Sequence, residues 1–209
     1  HPPTRLPAAA AERAAEVARK FLAAVGFTHG LFNMEFFHDP ASDRLSVIEF
    51  NPRLASQFGD LYRRVHGADA HALGLALAMG QDPATLPRTE PTAGAAASFV
   101  YRSFDRQDQP SMPSPWQRAR LAREFPDAML FTYPKSGHSL ARDFKWLGSH
   151  RYGILHLGGR HVHDLLRRCE TASAILCWPA PYAGEAQHAA ALNGFDPSDA
   201  LAARIQSLR

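Results

Sequence analysis

Hydrophobic and polar positions along the chain switch between helical and strand spacing, which predicts a mixed fold. Residues 8–25 carry apolar side chains at helical spacing, and Gly26 follows where helices often end in a left-handed residue. Residues 30–37 and 45–50 are apolar and rich in strand-forming residues, and a stretch of Pro, Asp and Ser separates them. We therefore predict a helix followed by a β-hairpin with a long loop.

The pattern next indicates two short helices and then a linker. Residues 60–79 contain helical pieces on either side of Gly67, and Gly80 closes the second piece. Prolines at 83, 87 and 91 then favour an extended segment. We place a domain boundary there, which gives one domain over residues 1–90 and another over residues 91–209.

The second domain mixes both spacings. Strands are predicted at residues 95–104, 128–133, 151–157 and 174–178, and helices at 115–125, 161–171 and 197–208. The stretch at 136–139 is interpreted as a loop, and Gly158-Gly159 as a tight turn. The fold class predicted is α+β, with an antiparallel sheet and flanking helices in the first domain and a small α/β domain after it.

Composition narrows the function classes. The chain has 209 residues, 45% of them apolar, which is enough for a buried core. Its net charge is only +3 and its Arg residues are scattered, so nucleic acid is not an expected partner. We find neither a run of roughly 20 apolar residues for a membrane helix nor the pattern of a signal peptide, and we expect a cytoplasmic protein without membrane contact.

The hairpin holds the most informative polar side chains. If its strands pair symmetrically about Ser42, Glu35 lies opposite Glu49 and Asn33 lies opposite Asn51. The same pairing places Phe37 opposite Val47 and gathers on the other face the side chains of Phe32, Met34, Phe36, Ile48 and Phe50. One face is then apolar, and the other becomes polar toward the open end.

Two opposed carboxylates repel, so protonation, solvent or a cation must offset their charge. Mg²⁺ fits well, because Glu35, Glu49 and the amide oxygen of Asn51 offer the oxygen ligands that it prefers. Arg53, two residues further on, is placed to bind phosphate or carboxylate. The alternative is a solvated sheet face on which Arg53 merely neutralises the two acids.

The runs Gly30–Phe37 and Val47–Arg53 together resemble the signature of the ATP-grasp superfamily, with Glu49 fourteen residues after Glu35. The flanking elements agree in order: a helix ending in a Gly-Phe step before the first run, and then a short helix, Gly67-Ala68-Asp69 and a helix ending at Gly80. The resemblance therefore rests on two motifs and their surroundings.

This resemblance implies an ATP-dependent ligase. ATP-grasp enzymes use ATP and Mg²⁺, or Mn²⁺, to convert a carboxylate into an acyl phosphate that an amine or another nucleophile attacks. Carried over, Glu35 and Glu49 would ligate the metal, with Glu49 bridging two ions and Asn51 completing the second. Arg53 would act catalytically by stabilising the transferring phosphoryl group or the acyl phosphate.

Residues 91–209 resemble the C-terminal domain of biotin carboxylase-like members. Residues 97–102 look like that domain's first strand, with Arg102 where those enzymes carry a substrate-binding arginine. However, Arg53 is followed by residues 54–58, Leu-Ala-Ser-Gln-Phe, where those enzymes have Gln-Val-Glu-His. A carboxylate–amine or related ligase is therefore favoured over biotin carboxylation.

The family's nucleotide clamp should precede the helix that starts near Ala8, and the chain opens on His1-Pro2-Pro3 without Met. We therefore interpret the chain as a fragment of an ATP-grasp ligase that is inactive alone, meets ATP and a small carboxylate through the N-terminal region, and can form a homodimer. The alternative hypothesis is a non-catalytic ATP-grasp-like binding or scaffolding domain.

Overall fold

A computed structural model of the chain describes residues 7–107 and 109–181. These residues divide into two compact units, the first ending at Pro91 and the second beginning at Thr92. Both units combine helices with antiparallel strands, so the predicted α+β class is confirmed. The predicted helix at 197–208 lies outside the described residues. Within the described ranges, no helix has the length and apolar character to cross a lipid bilayer.

The first unit has the predicted order of helix, hairpin and two short helices. Its elements are α1 (Ala8–Ala24), β1 (Asn33–Asp39), β2 (Arg44–Asn51), α2 (Gly59–His66) and α3 (Ala70–Ala78). Gly67 ends α2 in the left-handed region at φ 66°. A Cβ atom there would lie 1.8 Å from the carbonyl oxygen of Thr89, so glycine alone permits this approach of the chain.

An aromatic cluster fixes the apolar face of the hairpin on α1. It consists of Phe21, Phe27, Phe32 and Phe50. The ring centroids of Phe21 on α1 and Phe50 on β2 are 4.9 Å apart. At the turn, the guanidinium of Arg13 forms a salt bridge of 2.6 Å with Asp43. Because α1 is held at both places, one hairpin face packs on it and the opposite face is left for polar side chains.

The second unit is a three-stranded antiparallel sheet with helices packed against it. Its elements are β3 (Ala95–Ser103), α4 (Pro115–Glu124), β4 (Met129–Thr132), α5 (Gly137–Leu147), β5 (His150–Gly159) and α6 (Val162–Leu176). The strand order is β3-β5-β4, so β5 is central. The core is formed mainly by Tyr101, Leu155, Leu157, Leu165, Cys169 and Leu176, all almost fully buried.

Three local predictions in this unit are wrong. The stretch interpreted as a loop at 136–139 begins α5. The strand predicted at 174–178 is instead the last turn of α6, which ends where Cys177 adopts a left-handed φ of 55°. Gly158 and Gly159 are the last residues of β5 rather than a turn. A Cβ at Gly159 would lie 2.7 Å from the backbone nitrogen of Leu165, so the missing side chain at Gly159 lets α6 approach the sheet.

Candidate functional site

The open end of the hairpin brings four polar residues together as predicted. Glu35 lies opposite Glu49, and Asn33 lies opposite Asn51. Directly opposed residues in an antiparallel pair share a face, with Cβ atoms about 4.5–5.5 Å apart. Both glutamates are exposed. The carboxylates therefore stand side by side on the face that turns away from α1.

The closed end of the hairpin departs from the prediction. A β-bulge follows Glu35, so that Phe36 pairs with Val47, Phe37 pairs with Ser46, and Ile48 has no partner in the ladder. The predicted pairing of Phe37 with Val47 is therefore wrong. Ile48, which we placed on the apolar face, is 49% exposed. One additional residue in β2 causes the shift, because it moves every later pair by one position.

Hydrogen bonds orient the polar end. The amide nitrogen of Asn51 donates to Glu49 Oε1 at 2.6 Å, which holds that carboxylate in place. The backbone N–H of Arg53 donates to the carbonyl of Asn51 at 2.8 Å and forms a tight turn after β2. The Arg53 guanidinium donates to the carbonyl of Leu54 at 3.4 Å. Among the described residues Arg53 has no carboxylate partner, so its charge is available to a ligand.

The side chains at this end suit a hard cation. Neither Glu35 nor Glu49 forms a salt bridge with any described residue, so their mutual repulsion is not offset within this part of the chain. The Oδ1 atom of Asn33 is buried and lacks a hydrogen-bond partner there. The described residues contain no cluster of three or more His, Cys, Asp or Glu that could hold a metal. Two carboxylates plus amide oxygens are nevertheless a donor set that Mg²⁺ accepts when phosphate and water complete its shell.

A cavity of about 360 Å³ lies beside Arg53 within the first unit. Its walls come from the loop before β1, the turn after β2 and one side of α3. They are mostly apolar, with Leu31, Leu54 and Leu77 prominent, whereas Arg53 and His29 are its basic side chains. Sequence patterns could not reveal this cavity, because it depends on three separate segments meeting in space.

Arg102, predicted to bind substrate, belongs to the second unit. Its guanidinium donates to the hydroxyl of Ser149 at 3.0 Å, and Ser149 is buried. Across the sheet Arg102 lies opposite Arg151, whose guanidinium sits 4.6 Å from the ring centre of Tyr133. No described carboxylate pairs with either arginine. Two opposed cations without a counter-charge form a basic patch that could take an anion.

A buried charged group near the start of β5 was missed. Asp143 on α5 accepts two hydrogen bonds from Lys135, at 2.9 and 3.0 Å, and one contact of 3.2 Å joins it to His150. The hydrogen bonds from Lys135, and then that from His150, hold the pKa of Asp143 below its ordinary value. The group escaped notice because residues 136–139, where α5 begins, were interpreted as a loop. Gly148, a left-handed residue after the helix, is the signal that could have revealed it.

Comparisons with known proteins find the fold but no close relative. No family model matches the chain, and no curated protein matches it. The ATPase subunit of phosphoribosylaminoimidazole carboxylase from Aquifex aeolicus is similar with a TM-score of 0.50 and 16% identity, over 78% of this chain and 43% of that one. A biotin carboxylase domain of a single-chain bacterial carboxylase gives a TM-score of 0.49 and 20% identity, over 82% and 38%.

The chain thus spans less than half the length of either solved structure. The Aquifex subunit is an ATP-grasp protein, and the two hairpin motifs resemble that superfamily. At this level of identity the likeness to the Aquifex subunit concerns the fold. The resemblance predicted from the sequence is therefore confirmed: residues of this chain adopt a fold of the ATP-grasp type.

Proposed function

We propose that this chain contributes the metal- and phosphate-binding side of an ATP-dependent carboxylate ligase, which joins a small carboxylate to an amine or related nucleophile through an acyl phosphate. The ligase-like fold supports this proposal. The observation that carries it is the pair Glu35 and Glu49, directly opposed in the ladder and without a cationic partner among the described residues.

Glu35, Glu49 and Asn51 would hold Mg²⁺ or Mn²⁺. When bound, the cation supplies positive charge to the phosphate oxygens of ATP and stabilises phosphoryl transfer. Asn51 prepares the site by fixing one oxygen of Glu49 at 2.6 Å. Because this hydrogen bond already restricts the Glu49 side chain, fewer of its conformations are lost when the cation binds.

Arg53 would stabilise negative charge on the transferring group. Within the described part of the chain its guanidinium makes a single long hydrogen bond, to Leu54, so most of its five N–H donors are available there to a phosphate or acyl phosphate. Arg102 would contribute to substrate binding. Its bond to Ser149 restrains the guanidinium and leaves other donors open.

The nucleotide clamp would come from outside residues 1–209, because the chain spans only 43% of the Aquifex chain that it resembles. In this proposal ATP reaches the hairpin, and the small carboxylate reacts there, only when that region is present. The 209-residue chain then binds the cation weakly and has no ligase turnover by itself. Rapid ATP-dependent ligation by this chain alone would contradict the proposal that the nucleotide clamp comes from outside it.

The metal assignment can be tested with Mn²⁺ as the probe, followed by electron paramagnetic resonance of the free ion. The wild-type chain should bind Mn²⁺, and Glu49→Gln should weaken binding by at least about tenfold. Glu12→Gln is a matched control, because it removes one exposed carboxylate from α1 in the same unit. Equal affinities for all three proteins would contradict the metal site and favour a non-catalytic binding domain.

A further inference from the structure

The cavity beside Arg53 has the properties of a ligand site. Its volume of about 360 Å³ lies near the lower end of the range for small-molecule pockets, roughly 300–1,000 Å³. Phe27, Leu31, Leu54 and Leu77 give it apolar walls. A compact apolar group would leave water on entering it.

The positive charge at the cavity wall indicates what the polar end of the ligand should be. Arg53 carries a permanent positive charge at the cavity wall, and none of the described residues that line the cavity is acidic. The guanidinium has no carboxylate partner in the described chain. A ligand with one negative charge would therefore complete the site, whereas a cationic ligand would meet Arg53 without any compensating acid.

The position of Arg53 connects the cavity to the hairpin. Arg53 is two residues beyond Asn51, so their Cα atoms are at most about 7 Å apart. The backbone of Arg53 therefore lies beside the polar end that carries Glu49. A carboxylate held by Arg53 on that side would be available for phosphorylation, while the rest of its molecule extends into the apolar cavity.

We propose that this cavity is the acyl subsite of the ligase and selects a monocarboxylate with a compact, uncharged apolar group. The inference rests on the proposed function, because it assigns the carboxylate at Arg53 to the reacting substrate. Close packing keeps the subsite small. A Cβ at Gly74 on α3 would lie 3.2 Å from Leu31 Cδ1, so the helix and the loop already approach closely at one wall.

The test is direct binding of small molecules to the whole chain, measured by saturation-transfer NMR and calorimetry without metal or nucleotide. Isovalerate is the probe, and its seven non-hydrogen atoms set an expected dissociation constant on the order of 1 mM. Isobutylamine, succinate and adenosine test the charge and size limits. Each should bind at least about tenfold more weakly, and preferential binding of any of them would overturn the proposal.

Paired tryptophan substitutions on one helix locate the binding. Leu77→Trp fills the cavity and should weaken isovalerate binding at least tenfold. Leu75→Trp is the control, because Leu75 lies on the same helix, is 62% exposed and does not line the cavity. Ala78→Leu adds a smaller side chain at the cavity wall and should also weaken isovalerate binding. It replaces Leu77→Trp in the test if that variant does not fold. Equal binding by the filled and control variants would overturn the assignment.

The two proposals fail separately. One outcome is that isovalerate binds saturably in a manner that depends on Leu77 while Mn²⁺ does not bind at Glu49. That result would contradict the proposed ligase function and leave only a carboxylate-binding site. Mn²⁺ binding lost in Glu49→Gln, without any isovalerate binding, would keep the metal site and remove the acyl subsite. Arg53→Gln should abolish isovalerate binding while Mn²⁺ binding stays within about twofold, since Arg53 is not among the proposed ligands.

Discussion

Replacing Glu35 by glutamine should stabilise the hairpin and weaken its cation binding at the same time. Glu35 lies opposite Glu49, both are exposed, and neither has a salt-bridge partner among the described residues. The Glu35 side chain also makes no hydrogen bond in the described chain, so its replacement by glutamine removes no side-chain contact of that kind. The substitution therefore isolates the repulsion between the two charges, whereas Glu49→Gln would also disturb the bond from Asn51.

The magnitude follows from the ladder geometry. Opposed Cβ atoms are about 5 Å apart, which places the two carboxylates roughly 6 Å apart. In water, two unit charges at that separation repel by about 0.7 kcal/mol, and screening at 0.15 M salt reduces this to about 0.3 kcal/mol. At 1 M salt about 0.1 kcal/mol remains. Glu35→Gln should therefore raise the opening free energy of the hairpin by about 0.3–0.7 kcal/mol, most clearly at low salt.

Native-state amide hydrogen exchange is the appropriate assay. Trp116, Trp146 and Trp178 are the only tryptophans and all follow Thr92, so fluorescence would report the second unit. Exchange of the amide protons in β1 and β2 should slow in Glu35→Gln at low salt and converge with wild type at 1 M. Faster exchange, or a difference that salt does not change, would refute the opposition of the two carboxylates.

Three further substitutions test the second unit. Ser114→Ala removes the capping box of α4 and should cost about 1 kcal/mol of unfolding free energy, measured by urea titration. Gly153→Ala should cost about 1–3 kcal/mol in the same assay, because its Cβ would lie 2.5 Å from the buried ring of Trp178. The backbone N–H of Arg160 lowers the pKa of Asp164 from 3.8 to about 2, so its stabilisation is complete above pH 3.8 and lost as pH falls through about 2. Thermal melts of Asp164→Asn should accordingly show a weaker loss of stability between about pH 4 and 2.

The sequence predicted the elements of the first unit because local signals there agree with tertiary packing. The structure contains the elements that these signals predict: two strands where apolar and polar residues alternate, a turn where turn formers lie, and helix ends before Gly67 and Gly80. The pairing of the glutamates followed from symmetry about the turn alone. The cavity beside Arg53 has no local signal, because helix α3 and two loops create it jointly.

The second unit shows where local signals mislead. The apolar run at 174–178 is compatible with a strand or with a buried helix. In the structure its first residues belong to α6, because that helix packs against the sheet. Helix α5 begins at a glycine after Ser136, and the Ser136 side chain forms no cap hydrogen bond, so its start carries no capping signature. Its buried residues are Asp143 and Phe144, and a buried charge obscures the apolar spacing on which a sequence prediction depends.

The bulge in the hairpin explains why a partly wrong register still located the site. It falls between Glu35 and Phe36, on the side of the turn. Pairs toward the open end keep the two-residue alternation predicted by symmetry, and only the pairs nearer the turn are displaced. A bulge on the other side of Glu35 would have placed Asn51 or Phe50 out of step with Asn33 and separated the polar side chains. The position of one additional residue therefore decides whether the strand pair can present two carboxylates to a cation, and here it lies where the polar end is preserved.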